Sequence, residues 1–172
     1  MKINQILRVL FISSIVLLNI SCDQLSKDLV RKKIGNNEII QLIKDNFILT
    51  KVENSGAALS LGENLHPKLK LILLQIIPLV VLMFLFRIVI LKNNYSVATI
   101  IGFCFIIGGG IGNIYDRILY GSVTDFMHIH VGIFKTGIFN MADVSVVIGV
   151  LLILIETSTN YFNQKKNIET LS

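Results

Sequence analysis

LKLILLQIIPLVVLMFLFRIVIL, residues 69–91, decides the fold class: its only strongly polar residues are Lys70, Gln75 and Arg87. The run is continuously apolar rather than alternating, which suits a helix and not a barrel strand. It is also long enough to cross a ~30 Å hydrocarbon core, for which a helix needs ~20 residues. Working outward, three more apolar blocks of similar length lie at 6–22, 97–114 and 138–157. Arg8 falls inside the first, where its long stem can carry the charge to the headgroups. The chain of 172 residues is 53% hydrophobic and only 16% charged, with a mean hydropathy of +0.71. Soluble domains run about 45–50% apolar and about 25% charged. The expectation is one all-α integral membrane domain over 1–172, a bundle of four transmembrane helices, rather than a soluble helical domain.

The N-terminus imitates something else. Lys2 and Arg8 followed by FISSIVLLNISC (11–22) look like a signal peptide ending at a modifiable cysteine. Three further spans follow, and Asn19 stands where such a cleavage site takes an aliphatic residue, so the reading is an uncleaved first helix. Cys22 and Cys104 lie within apolar blocks at no metal-binding or pairing interval, and read as small buried hydrophobes. The net charge of +5 is scattered over the segments joining the spans. That distribution points to lipid headgroups and away from nucleic acid.

Two segments, 23–67 and 115–137, lie outside the blocks. EIIQLIKDNFILTKV (38–52) reads as a hairpin turning at Asp45-Asn46, and ENSGAALSLGEN (53–64) as a mobile loop or short helix over the membrane surface. Pro67 suits the first turn of the second span, and Pro78 predicts a kink. Lys92-Asn93-Asn94-Tyr95 joins spans two and three, making them antiparallel neighbours. The glycines of IIGGGIGNIYDR (106–117) permit close helix approach and predict an opened backbone near Gly109 and Gly110. Residues 118–137 read as strand-like, and NQKKNIETLS (163–172) as a solvated tail. Lysine and arginine counts favour external termini, but a long folded loop obeys that rule poorly. Charge counting leaves the orientation open.

The polar residues at the span ends gather on one side of the membrane. They are Asp23 and Lys27 in DQLSK, Asn54 and Gly56 in ENSGAA, Asn113, Asp116 and Arg117 in GNIYDR, Asp125 in SVTDF, and Asn140 and Asp143 in FNMAD. Ionisable groups at that depth are costly unless they are paired or do chemistry. Two carboxylates in a partly dry site share a proton and can act as base and acid around one water. Asp143 is one member on these grounds, and the residues alone do not choose between Asp125 and Asp116 for the other. Asp23 with Lys27 is an i,i+4 ion pair, and Asp116 with Arg117 could brace a turn. Gly56 supplies backbone freedom for a closing loop.

DQLSK, NSGAA, GxxGNxxDR (109–117), VxDF (123–126) and FNxAD (139–143), in this order around four spans, resemble the motifs of the lipoprotein signal peptidase (signal peptidase II) family. The resemblance covers the chain from Asp23 to the fourth span. It implies an aspartic peptidase that removes the signal peptide of diacylglyceryl-modified pre-lipoproteins, cutting before the lipidated cysteine. It implies a dyad of Asp125 and Asp143, supported by Asp23, Lys27, Asn54, Gly109, Asn113, Arg117, Asn140 and Ala142. It further implies an inner-membrane protein with cytoplasmic termini and a small β-rich periplasmic cradle. No cofactor or metal is called for, and a monomer is expected. Leu59 stands where the family often has an aromatic, and His128 and His130 where an acidic residue is frequent. A metal-dependent hydrolase built on Asp125, His128 and His130 is the rival enzyme reading. A proton-coupled transporter is the other rival, disfavoured because Gln75 is nearly alone as a polar residue in the far halves of the spans.

Overall fold

The computed structural model describes residues 3–35, 38–92 and 94–169. Lys2, counted in the charge balance, Asn93 in the expected linker and the last three residues of the expected tail lie outside them. Four helices are long and apolar enough to cross a membrane: α1 (Ile3–Lys33), α2 (Pro67–Leu91), α3 (Val97–Tyr120) and α4 (Met141–Glu169). Between them runs a four-stranded antiparallel sheet in the order β1 (Ile39–Ile43), β2 (Phe47–Asn54), β3 (Val123–Val131) and β4 (Phe134–Lys135).

The helices overrun the apolar blocks, and this corrects the expected boundaries. α1 does not end at Cys22 but continues to Lys33, with Arg31, Lys32 and Lys33 in its last turn, where cations favour the negative helix end. Its buried stripe is Ile12, Val16, Asn19, Asp23, Lys27 and Val30, at the three- and four-residue spacing of one helix face. That stripe is apolar at membrane depth and becomes ionic at Asp23 and Lys27 without the helix ending. α3 likewise carries Asn113, Asp116 and Arg117 on its last two turns, from an N-cap at Ser96 to Gly121 at φ +76°. The expected strand-like stretch therefore begins at Val123 and not at Ile118. α4 begins at Met141, three residues later than expected, and stays helical through most of the segment read as a solvated tail.

The backbone does not open at Gly109 and Gly110. Within a bilayer a freed N–H or C=O finds no water, so the helical ladder is retained. The glycines are used for contact instead. A Cβ on Gly109 would strike the carbonyl oxygen of Ala142, and one on Gly112 the carboxylate of Asp23. α3 thereby lies against both α1 and α4 and becomes the hub of the bundle. Its core with α1 and α2 is built from Ile12, Val16, Leu82, Val89, Ile100, Cys104, Ile107 and Ile114.

Pro67 occupies the first turn of α2 as expected. The disturbance expected at Pro78 takes the form of a π-helical turn at Ile72–Ile76, immediately ahead of the proline. The wider turn relieves the clash of a proline ring with the preceding carbonyl. Arg8 is not merely a headgroup ligand. Its guanidinium donates to the carbonyls of Val89 and Lys92 at 2.8 and 2.5 Å, capping the C-terminal end of α2. The hairpin forms where expected, with Lys44 at φ +45° in the turn and Ile39 opposite Thr50.

Candidate active site

The polar residues singled out in sequence converge at one end of the bundle, where α1, α3, the start of α4 and the sheet meet. Asn140 and Asp143 make a reciprocal cap on α4. The Asp143 N–H donates to Asn140 Oδ1 at 3.1 Å, and the Asn140 N–H to Asp143 Oδ2 at 3.0 Å. This is the capping-box arrangement, and it places Asp143 in the first helical turn, where the positive helix end favours negative charge. Asn140 Nδ2 also donates to Asp125 Oδ1 at 2.6 Å and to Asn113 Oδ1 at 3.1 Å. Asn113 in turn donates to Asp143 Oδ1 at 2.9 Å. Asp125 Oδ2 accepts from Asn54 Nδ2 at 3.0 Å. Each carboxylate is thus held by two amide donors, and Asn140 touches both.

Asp125 is aimed by an irregular strand. The N–H groups of Phe126 and Met127 both donate to the Phe139 carbonyl, at 3.0 and 2.8 Å, which is the signature of a β-bulge. The bulge lets Phe126 and Met127 both pack on Val30 and Ile34, while Asp125 lines the cavity. Burial pushes its pKa up from 3.8 to about 6; the hydrogen bonds from Asn54 and Asn140 pull against that rise, and the charge of Asp143 adds to it.

Behind the pair lies a buried ionic cluster. Lys27 and Asp23 form the expected i,i+4 ion pair at 2.8 Å, but wholly buried and with the helix running on beyond them. Lys27 also donates to Asn113 Oδ1 at 2.9 Å and pairs with Asp116 at 3.1 Å. Asp23 Oδ1 accepts from the Ala142 N–H at 2.9 Å, tying α1 to the first turn of α4. Asp116 does not brace a turn with Arg117. It faces the other way, toward Lys27 and Arg31, because residues one apart on a helix point in different directions. Its surroundings are already neutralised, and it does not line the cavity.

Arg117 reaches from α3 to the loop after β2, donating to the Gly56 carbonyl at 2.7 Å. The loop is a tight knot. Asn54 donates to the Ala57 carbonyl at 3.0 Å and accepts from the Gly56 N–H at 2.9 Å. Gly56 is needed for space rather than for a special dihedral: a Cβ there would meet the Leu61 carbonyl oxygen at 2.6 Å. Leu59 and Ser60 adopt φ +57° and +58°, strained for side-chain-bearing residues. Leu59 lies over Gly137, whose missing side chain leaves it room. The loop, the sheet and α4 enclose a cavity of about 420 Å³ lined by Leu59, Asn113, Arg117, Asp125, Asn140 and Asp143 among others. Gly109, by contrast, serves helix packing.

Sequence reasoning missed Gln24, which donates to Asp23, Asp116 and the Gly112 carbonyl, and the Ser145–Asn19 bond at 2.9 Å. Both glutamine and serine are common in helices, and neither carries a signal without a partner in view. The rival metal reading has no geometric support, since no three His, Cys, Asp or Glu side chains cluster as ligands among the described residues. His130 Nε2 lies 2.9 Å from the Gly132 carbonyl oxygen.

Four membrane-length helices with a carboxylate pair in a cavity at one end define a multi-pass membrane protein with a hydrolase-like site. The family model described as "Signal peptidase (SPase) II" matches residues 15–159. The lipoprotein signal peptidase of Pelodictyon phaeoclathratiforme is 36% identical over 151 residues, covering 83% of this chain and 86% of its own. That of Borrelia turicatae is 40% identical over 139 residues, covering 77% and 81%. A solved bacterial membrane enzyme superposes with a TM-score of 0.78 at 27% identity, covering 89% of this chain and 90% of its own. The chain belongs to the signal peptidase II family and is a membrane peptidase.

Proposed function

We propose that this protein is an aspartic endopeptidase that removes the signal peptide from diacylglyceryl-modified pre-lipoproteins, cleaving before the lipidated cysteine. The observation that carries the reading is the pairing of Asp125 and Asp143 in one cavity, joined through Asn140. In the reactive form Asp125, whose carboxyl pKa is raised toward neutrality by burial, carries a proton and hydrogen-bonds the scissile carbonyl oxygen. Asp143, at the positive end of α4, takes a proton from the attacking water as its oxygen bonds to the carbonyl carbon. Collapse of the tetrahedral species breaks the C–N bond as the Asp125 proton passes to the leaving amine, while Asp143 keeps the one taken from water, so the pair again shares a single proton. Asn54, Asn113 and Asn140 hold the two carboxylates in place. Asp23 and Lys27 brace them from behind through Ala142 and Asn113. The Arg117 Nε–H, buried and without a partner among the described residues, is available to the substrate backbone beneath the loop at Asn54 and Gly56.

Cysteine-linked acyl chains require an entrance from the bilayer, and the cavity wall includes Val146 and the lipid-exposed Val147 of α4. The protein sits in the bacterial inner membrane with cytoplasmic termini and the site at the periplasmic surface. It acts as a monomer, since one chain supplies every group used above. Purified protein incubated with a lipidated pre-lipoprotein should release the signal peptide. Retention of wild-type cleavage by both Asp125→Asn and Asp143→Asn would overturn the mechanism while leaving the family intact.

A further inference from the structure

We propose that Thr124, clamped between Arg31 and Glu53, is a positioning residue that sets the aim of Asp125 from the side of the sheet facing away from the cavity. The inference rests on the assignment of Asp125 above and adds residues that the motifs do not include.

Neighbouring residues on a strand point to opposite faces. On β2 and β3 this separates two adjacent pairs. Asn54 and Asp125 face the cavity and share a hydrogen bond of 3.0 Å. Glu53 and Thr124, directly opposite each other in the strand register, face away from it. The wholly buried Thr124 hydroxyl donates to Glu53 Oε1 and accepts from Arg31 Nε, both at 2.8 Å. Glu53 Oε2 takes a second hydroxyl, that of Ser122, at 2.6 Å. Arg31 is itself fixed on two further sides. Its Nη2 lies 3.0 Å from Asp116 Oδ2, and its guanidinium stacks 4.0 Å from the centre of the Tyr120 ring. The guanidinium thus holds the Thr124 hydroxyl by the hydrogen bond from Nε and Asp116 by charge alone. The hydroxyl of β3 therefore bonds α1 and β2 directly, and α3 is joined to it through Arg31.

Its location gives it consequence. The β2–β3 register shifts between Leu49 and Val52 and resumes at Val52–Asp125 and Glu53–Thr124. A slip of one residue at such an irregularity would send Asp125 to the other face. The clamp pins the first pairs after the shift, adjacent to the carboxylate. Without it the strand ends keep their backbone bonds but gain freedom, and Asp125 moves relative to Asn54 and Asn140. Misplacement by ~1 Å costs on the order of 10²-fold in rate; partial loosening is expected to cost about 10-fold.

The experiment compares Thr124→Val, Thr124→Ser and Arg31→Lys with Asp125→Asn in the full-length protein, measuring kcat, KM and Tm on a lipidated pre-lipoprotein. Thr124→Val, which keeps the shape and removes the hydroxyl, should lower kcat about 10-fold at unchanged KM and nearly unchanged Tm. Thr124→Ser should restore kcat to within about twofold, and Arg31→Lys should behave like Thr124→Val. In an Asn54→Ala background the Thr124→Val effect should largely vanish, because both act through the aim of one carboxylate. Wild-type kcat in Thr124→Val, a kcat loss that only follows a fall in Tm, or full additivity with Asn54→Ala would overturn the inference. If Asp125→Asn is inactive while Thr124→Val is normal, the clamp alone fails. If Asp125→Asn is active, the assignment of Asp125 fails.

Discussion

Asp116 and Asp125 are nine positions apart in sequence and present the same functional group, yet their surroundings differ and the proposed mechanism gives them opposite work. Asp116 is wholly buried between two cations, whereas Asp125 is held by amides alone, facing a cavity. Breaking a buried ion cluster leaves an uncompensated charge and costs about 3–5 kcal/mol. Asp116→Asn should therefore lower the Tm markedly while the folded fraction still cleaves. Asp125→Asn and Asp143→Asn should do the reverse, keeping the fold and losing nearly all turnover. The double variant should be hardly slower than either single one, as expected of groups that act as a unit. Wild-type turnover in Asp125→Asn beside an inactive, well-folded Asp116→Asn would reverse the assignment. Titration gives a second test at this scale. Asp125 has its pKa raised by burial to about 6, so a proton it holds is lost as pH rises through that value. The corresponding limb of kcat/KM should fall with rising pH. The Asn54 hydrogen bond favours the ionised carboxylate, so Asn54→Ala should move the limb to higher pH. An unmoved or acid-shifted limb would show that the limb belongs to another group.

At the scale of elements, the loop after β2 and the glycine face of α3 use small residues for different ends. In the loop, Gly56 leaves room for the Leu61 carbonyl and its N–H closes the turn onto Asn54. Proline at 56 removes that N–H and fills the space, so Gly56→Pro should depress turnover several-fold more than it affects the unfolding midpoint. Normal cleavage by this variant would make the loop a spectator. On α3, Gly112 lets the helix lie against Asp23, and a Cβ would come within 2.5 Å of its carboxylate. Overpacking of this kind typically costs about 1–3 kcal/mol. Gly112→Ala should accordingly lower the Tm, with any activity loss following from displacement of the Asp23–Ala142 bond. A variant of wild-type stability would show that α3 and α1 can part without cost.

For the whole molecule, the bundle places every polar group of the site at one end, and the direction of each span follows from that. The proposed orientation puts both termini in the cytoplasm, although the lysines and arginines are more numerous in the segments at the other side. A reporter active only in the periplasm, fused at the C-terminus, should stay silent, and the same reporter inserted near Gly132 in the β3–β4 turn should be active. The opposite pattern would invert the molecule. Part of the positive charge on the site side is tied into the folded structure. Lys27 is buried in ion pairs, Arg31 is locked in the Thr124 clamp, and Arg117 is bonded to the loop.

What the sequence determined by itself is what depends on local composition and spacing. Four long apolar runs require four helices because a bilayer offers no other partner for the backbone. The Asp45-Asn46 hairpin, Pro67 at the helix start and the polar residues gathered at one level were legible for similar local reasons. What only the tertiary structure decided is where polarity stops meaning the end of a helix. α1 and α3 run on through Asp23, Lys27, Asn113 and Asp116 because each charge meets its partner on another element, and spacing along one chain segment cannot display that. The same holds for the partners of Asp116, which sequence adjacency assigned to Arg117 and packing gave to Lys27 and Arg31. Glycine was misread for the matching reason. A run of glycines weakens an isolated helix, but against Ala142 and Asp23 it is the condition for contact, and the close approach outweighs the propensity.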